Sequence, residues 1–106
     1  MTPGARLSAA IEVLADIAER RRPVADALKD WGLAHRFAGS GDRATIATLV
    51  YDALRRRASA AWIMGEDTPR AALVGSLRLQ RGLAAQTIAE LMTGERFAPA
   101  PLTAEE

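Results

Sequence analysis

The spacing of apolar residues predicts that most of the chain is helical. Over residues 7 to 18, apolar side chains recur every three or four positions and polar side chains occupy the other side, which is typical of an amphipathic α-helix. Thr2 can cap this helix, and Pro3 suits its first position because proline has no N–H to leave unbonded there. We therefore predict a long first helix that ends in the arginines at 20 to 22, where the negative end of the helix dipole favours cations.

The stretch from Gly39 to Arg57 predicts a central helix of about four turns. Asp42 ends a loop of small residues, and its carboxylate can accept N–H groups of the first helical turn. Ile46 and Val50 share the apolar face of this helix, so we expect that face to be covered by other helices. Three arginines again close the helix.

Four shorter helices complete the pattern. Their predicted positions are Pro23 to His35 or Arg36, Ala58 to Met64 with Gly65 as terminator, Thr68-Pro69 to the break at Gly82, and a segment around Ile88, Leu91 and Met92 that Gly94 closes. Because every periodic segment has helical spacing and runs of β-branched residues are absent, we predict an all-α bundle of about six helices.

Residues 95 to 106 differ from the rest of the chain. They contain Pro99 and Pro101, carry net negative charge and have no periodic apolar stripe. We therefore predict a helical domain over residues 1 to 94, followed by a flexible tail or linker over 95 to 106.

Composition agrees with a small helical domain. Hydrophobic residues make up 49% of the chain but aromatic residues only 5%, so Leu, Ile, Val and Ala must fill the interior. The absence of cysteine excludes disulfides, thiolate metal sites and cysteine nucleophiles in these residues. No apolar run reaches the length of about 18 residues that a membrane span needs, and no secretory leader is recognisable. We predict a cytoplasmic location.

The basic residues are unevenly distributed. The net charge is +1, but residues 1 to 57 hold ten basic against seven acidic residues, and 13 of the 14 basic residues are arginine. Arginine at exposed helix ends and loops is suited to phosphate recognition. The candidate RNA-binding residues are Arg20, Arg21, Arg22, Arg36, Arg55 and Arg56. An equally simple interpretation is that these arginines are only solvated helix ends.

A second group of charged residues lies in line with the apolar faces. Arg43 and Arg57 each lie about 20° from Val50 on a helical projection, and Arg6 is in line with the apolar face of the first helix. We therefore interpret Arg6, Asp42, Arg43 and Arg57 as structural ion-pair candidates.

No residue pattern indicates catalysis. His35 is the single histidine and no Ser and Asp near it suggest a triad, so we predict no catalytic residue and no metal ligand. We expect Phe37 to anchor its loop on the core.

Several segments together resemble a known family. They are the run from Phe37 to Arg43 (FAGSGDR), LVYD at 49 to 52 and LRRR at 54 to 57, the opening Pro3, Ala5-Arg6-Leu7 and Ala10, and the closing GERFAPAPLT at 94 to 103. This pattern, which spans nearly the whole chain, resembles the NusB-like N-terminal domain of ribosomal RNA small-subunit cytosine-C5 methyltransferases.

The resemblance implies a helical bundle related to the antitermination factor NusB. Such a domain is an RNA-binding accessory of a methyltransferase domain in cis, which uses S-adenosylmethionine and a pair of cysteines. Neither those cysteines nor a glycine-rich nucleotide-binding turn is present here, so we expect this chain to be non-catalytic and to need no cofactor itself. The alternatives are a protein-protein interaction module and a free-standing NusB-like antitermination factor.

Overall fold

The computed structural model describes residues 1–80, 82–95, 97–104 and 106. These residues form six α-helices: α1 (Pro3–Arg20), α2 (Val24–Ala34), α3 (Ser40–Arg55), α4 (Arg57–Met64), α5 (Pro69–Gln80) and α6 (Ala85–Leu91). None of the residues in these described ranges forms a β-strand. The predicted all-α class is therefore confirmed.

Two of the helices begin with the same Thr-Pro signal. The Ala5 N–H donates to Thr2 Oγ1 at 3.1 Å, and the Ala71 N–H donates to Thr68 Oγ1 at the same distance. In each case the threonine hydroxyl satisfies one of the backbone donors that a first turn leaves free. These local signals therefore set the first residues of α1 and α5.

The start of α3 differs from the prediction. The helix begins at Ser40 rather than after Asp42, because the small residues before Asp42 continue the helix instead of forming a loop. Asp42 still accepts a hydrogen bond from the Gly39 N–H, at 3.4 Å. Its carboxylate thus supports the first turn from inside the helix.

The core lies between α1, α3 and α5. Helices α1, α3 and α5 pack on one another, α2 packs on α1, and α4 lies along α5. The largest fully buried side chains are Val13, Ile46, Val50, Leu73, Val74, Ile88 and Met92. The predicted apolar face of α3 is therefore the buried one.

Helices α1 and α3 run in the same direction. At their first turns the Arg6 Nε lies 2.9 Å from Asp42 Oδ1, and at their last turns Ile17 and Leu54 line one pocket. Helix α2 returns along α1, since Trp31 Nε1 donates to Glu12 at 3.1 Å. The bundle therefore has two distinct ends.

The segment after residue 94 packs against the bundle. The Gly94 N–H donates to the Pro99 carbonyl at 2.8 Å, Pro99 is buried, and Leu102 packs against the core. Parts of the segment predicted as a flexible tail or linker are therefore packed, although it has no periodic apolar stripe. Apolar residues in an irregular segment can pack without the helical spacing on which the prediction relied.

Within the described residues, no helix combines the length and the hydropathy required to cross a membrane.

Candidate nucleic-acid interface

The last turns of α1 and α3 bring two groups of arginines to the same end of the bundle. Arg21 ends α1 in the left-handed conformation, with φ 52° and ψ 45°. Arg21 and Arg57 line a common pocket with the start of α5. Besides Arg57, which pairs with Asp67, four arginines near these helix ends are exposed: Arg20, Arg21, Arg55 and Arg56. We call these four residues the arginine end.

Two arginines of the arginine end make weak contacts with aspartates of their own helix. Arg20 lies 3.4 Å from Asp16, and its side chain remains 74% exposed. Arg55 lies 3.8 Å from Asp52, a contact that the spacing of these two residues predicts. Exposed ion pairs of this kind contribute little to stability. Their guanidinium groups can therefore exchange a carboxylate for a phosphate at small cost.

Arg22, which the sequence suggested as an RNA contact, forms ion pairs with two aspartates. Its Nη1 donates to Asp16 at 3.0 Å, its Nη2 donates to Asp30, and only 25% of its side chain is exposed. The hydrogen bond with Asp30 is the main cause of a raised pKa for Arg22. Because Asp16 is on α1 and Asp30 on α2, Arg22 joins these two helices across the Pro23 turn.

Arg57 forms an exposed ion pair with Asp67, in which each side chain is more than half exposed. Its Nε and Nη2 donate to Asp67 Oδ1 and Oδ2 at 2.9 and 3.1 Å, and the bond from Arg57 lowers the pKa of Asp67. This two-pronged contact fixes the turn between α4 and α5.

Arg36 lies far from the other candidates. Helix α2 carries it back to the end of the bundle where α1 begins, because neighbouring His35 lines a groove with Met1 and Thr2. The 18 residues of α1 separate the two ends by about 27 Å. The candidate RNA-binding residues therefore do not all lie at one end of the bundle.

Arg6 and Asp42 form an ion pair between the first turns of α1 and α3. Arg6 Nη2 lies 2.8 Å from Asp42 Oδ1, and the Met1 amino group lies 3.4 Å from Asp42 Oδ2. The Arg6 hydrogen bond is the main cause that lowers the pKa of Asp42, with the amino terminus and the Gly39 N–H acting in the same direction.

Arg43 forms no ion pair with the residues that the structure describes. Its side chain is exposed, and it has no carboxylate partner among the residues that the structure describes. A helical projection gives the direction of a side chain but not the depth of the surrounding core. Near the start of α3, this direction takes the Arg43 side chain over Gly32 of α2. A Cβ built on Gly32 would lie only 3.3 Å from Arg43 Cδ.

The first turn of α1 and the end of α2 form an apolar groove that the sequence analysis did not predict. We call it the aromatic groove. Its volume is about 760 Å³, and it is lined by Met1, Thr2, Ala5, Ser8, Ala9, Glu12, Trp31, His35, Phe37 and Phe97. Phe37 is 74% exposed and Phe97 is 88% exposed. The expectation that Phe37 packs on the core is therefore wrong.

The aromatic rings of the groove are ordered by contacts with one another. The Trp31 and His35 rings stack with centroids 4.3 Å apart and an interplanar angle of 11°, and Phe37 meets His35 edge to face at 5.9 Å. The spacing of Trp31 and His35, four residues apart on a helix, is a signal that the sequence analysis could have used. No sequence pattern indicates that Phe97 joins them.

No group of three or more His, Asp or Glu side chains within the described part of the chain is arranged to hold a metal ion. Comparisons with protein-family models, with curated proteins and with solved structures find no match for this chain. Its function must therefore be inferred from its own residues.

Proposed function

We propose that this chain is an RNA-binding accessory module, of the NusB-like type, that acts with a ribosomal RNA cytosine-C5 methyltransferase. The observation that carries the proposal is the arginine end, where the parallel course of α1 and α3 assembles exposed arginines from two separate segments. The resemblance of the run from Phe37 to Arg43 supports the choice of family and of ribosomal RNA as the target.

The arginine end suits a phosphate backbone better than a single small anion. Arg20 and Arg21 lie at the end of α1 while Arg55 and Arg56 lie at the end of α3, so the charges come from two separate chain segments. Spread arginines contact successive phosphates without reading bases. We therefore expect weak binding with little sequence preference and strong dependence on salt.

Salt dependence of RNA binding tests this proposal. Four phosphate contacts on a single strand predict that log Kd changes with log salt with a slope of about 2.8. The double variant Arg55→Glu, Arg56→Glu should lower that slope to about 1.4 or less, because two contacts are lost. The measurement is fluorescence anisotropy of a labelled single-stranded RNA across a sodium chloride series.

Arg78→Glu is the control for a general effect of charge. Arg78 is exposed on α5, about one and two-thirds turns beyond Ala72, the last α5 residue that borders the Arg21 pocket. Its reversal should leave the slope unchanged. Equal losses in Arg78→Glu and in the double variant would contradict a specific role for the arginine end.

A protein-interaction module is the second candidate, and α4 favours it. Trp62 is 86% exposed and the adjacent Ile63 is also exposed. Exposed tryptophans are frequent anchors of protein interfaces. In the proposed setting the partner is the methyltransferase domain. A Trp62→Ser variant that binds that domain as tightly as the unchanged chain would argue against this contact.

A further inference from the structure

We propose that the aromatic groove binds an unpaired nucleobase of the RNA, with Phe37 and Phe97 on either side of the base. This inference rests on the proposed RNA-binding function and adds a second contact at the opposite end of the bundle. The proposed occupant is a purine or cytosine base of a single strand, and its phosphate lies outside the groove.

The shape and lining of the groove suit a flat ring. Ala5 and Ala9 are small residues on the α1 wall, and Trp31 and His35 present a stacked pair on the α2 wall. Phe37 and Phe97 come from two different segments and leave most of their ring surface in solvent. Exposed aromatic rings that converge on one groove are a typical platform for base stacking.

Phe97 is held in a conformation that exposes its ring. Its φ angle is 70°, a region that bulky residues rarely adopt, and the Ala98 N–H donates to the Glu95 carbonyl at 2.8 Å across this turn. The buried Pro99 and Leu102 contacts described above hold the segment that carries it. The folded tail therefore supplies one wall of the groove.

The polar groups of the groove match the edge of a base. His35 Nδ1 lies 2.8 Å from the Trp31 carbonyl, a contact that fits the tautomer with its proton on Nδ1 and with Nε2 as an acceptor. Glu12 accepts from Trp31 Nε1 and retains further acceptor capacity. Two acceptors favour bases with an exocyclic amino group, which are adenine, cytosine and guanine, over uracil.

A cation between two lining residues in the sequence favours a nucleotide as the occupant. Arg36 is exposed, immediately precedes Phe37, and makes no ion pair within the described residues. A cation beside an aromatic ring matches a phosphate joined to a stacked base.

Fluorescence of Trp31 reports directly on the groove. The protein contains two tryptophans. A Trp62→Phe variant, which changes only a highly exposed side chain, leaves Trp31 as the single tryptophan that emits. We expect hexaadenylate to quench it saturably, hexauridylate to quench it less, and an abasic oligomer with the same phosphates to leave it unchanged.

Variants of the exposed rings test the stacking. Phe37→Ala and Phe97→Ala should each weaken hexaadenylate binding by roughly 5-fold or more, since one stacked base accounts for at least that factor. Phe37→Tyr should restore binding because tyrosine also stacks. Arg36→Ala should lower the salt slope by about 0.7, as expected for one lost phosphate contact.

The outcomes separate this inference from the proposed function. If RNA binds by anisotropy, and the arginine-end variant weakens it, but Trp31 emission never changes, the groove inference is overturned while the RNA-binding function stands. If neither signal responds to RNA, both are overturned. Self-association that Phe37→Ala abolishes, without quenching by RNA, would assign the groove to a second copy of the chain and also overturn the inference.

Discussion

At the residue scale, Gly75 sets how closely α4 and α5 approach. A Cβ at Gly75 would lie 2.5 Å from Ala60 Cβ and 2.8 Å from Ala60 Cα, distances that no packed pair of carbons tolerates. We expect Gly75→Ala to push the two helices apart and to lower the free energy of unfolding by about 1 to 3 kcal/mol. Urea denaturation measures this change.

Gly41→Ala is a matched control for Gly75→Ala. Gly41 also lies in a helix, but a Cβ there would meet no atom within 4 Å. Alanine should then keep or raise stability, by up to about 1 kcal/mol, because it has the higher helix propensity. Similar stability of the two variants would contradict the close contact.

At the scale of an element, the segment after α6 depends on Arg70 of α5. Arg70 Nε and Nη2 each lie 2.9 Å from the Glu106 carboxylate, and Nη2 also donates to the Pro101 carbonyl at 2.8 Å. We expect Arg70→Met to loosen this segment while α3 stays folded. Hydrogen exchange should become several-fold faster at the Gly94 amide, which donates to Pro99, and remain unchanged in the core of α3.

Arg78→Met provides the control on the same helix, because Arg78 is exposed and has no ion pair in the described parts of the chain. It should leave exchange at Gly94 unchanged. The same acceleration in both variants would mean that Arg70 does not hold the tail. The result bears on the groove too, since Phe97 lies in this segment.

At the scale of the whole molecule, three carboxylates link distant parts of the chain and make stability depend on pH. Arginine hydrogen bonds lower the pKa of Asp42, Asp67 and Glu106. A carboxyl group whose pKa is lower in the folded state binds fewer protons there than in the unfolded chain, so stability rises with pH over that range. We expect full stability above the unfolded values of about 4 and a loss as pH falls below them.

Asp42→Asn isolates one of these contributions. This variant should melt at a lower temperature than the unchanged chain at pH 7, and the difference should shrink below about pH 4, where unfolded carboxyl groups are protonated. Asp26→Asn is the control, because Asp26 is exposed and makes no ion pair with any described residue. A difference that persists unchanged at low pH would show that Asp42 acts through packing and not through charge.

The sequence by itself determined which segments are helical and where several of them begin and end. Those features depend on interactions within a few residues: the apolar period of α1 and α3, the Thr-Pro starts, and the glycine at position 65, which ends α4 with φ 77°. The likeness to the NusB-like domain, and the RNA-binding role it implies, stay predictions.

Only the tertiary structure decided what the charged and aromatic side chains do. Arg22 faces Asp30 and Arg36 lies at the opposite end because α2 turns back along α1. Phe37 and Phe97 line one groove because the last segment returns to the start of α1, where a Cβ on Gly4 would touch Ala98. These contacts join residues of different helices and segments, from eight to about ninety positions apart, and local periodicity carries no information about them.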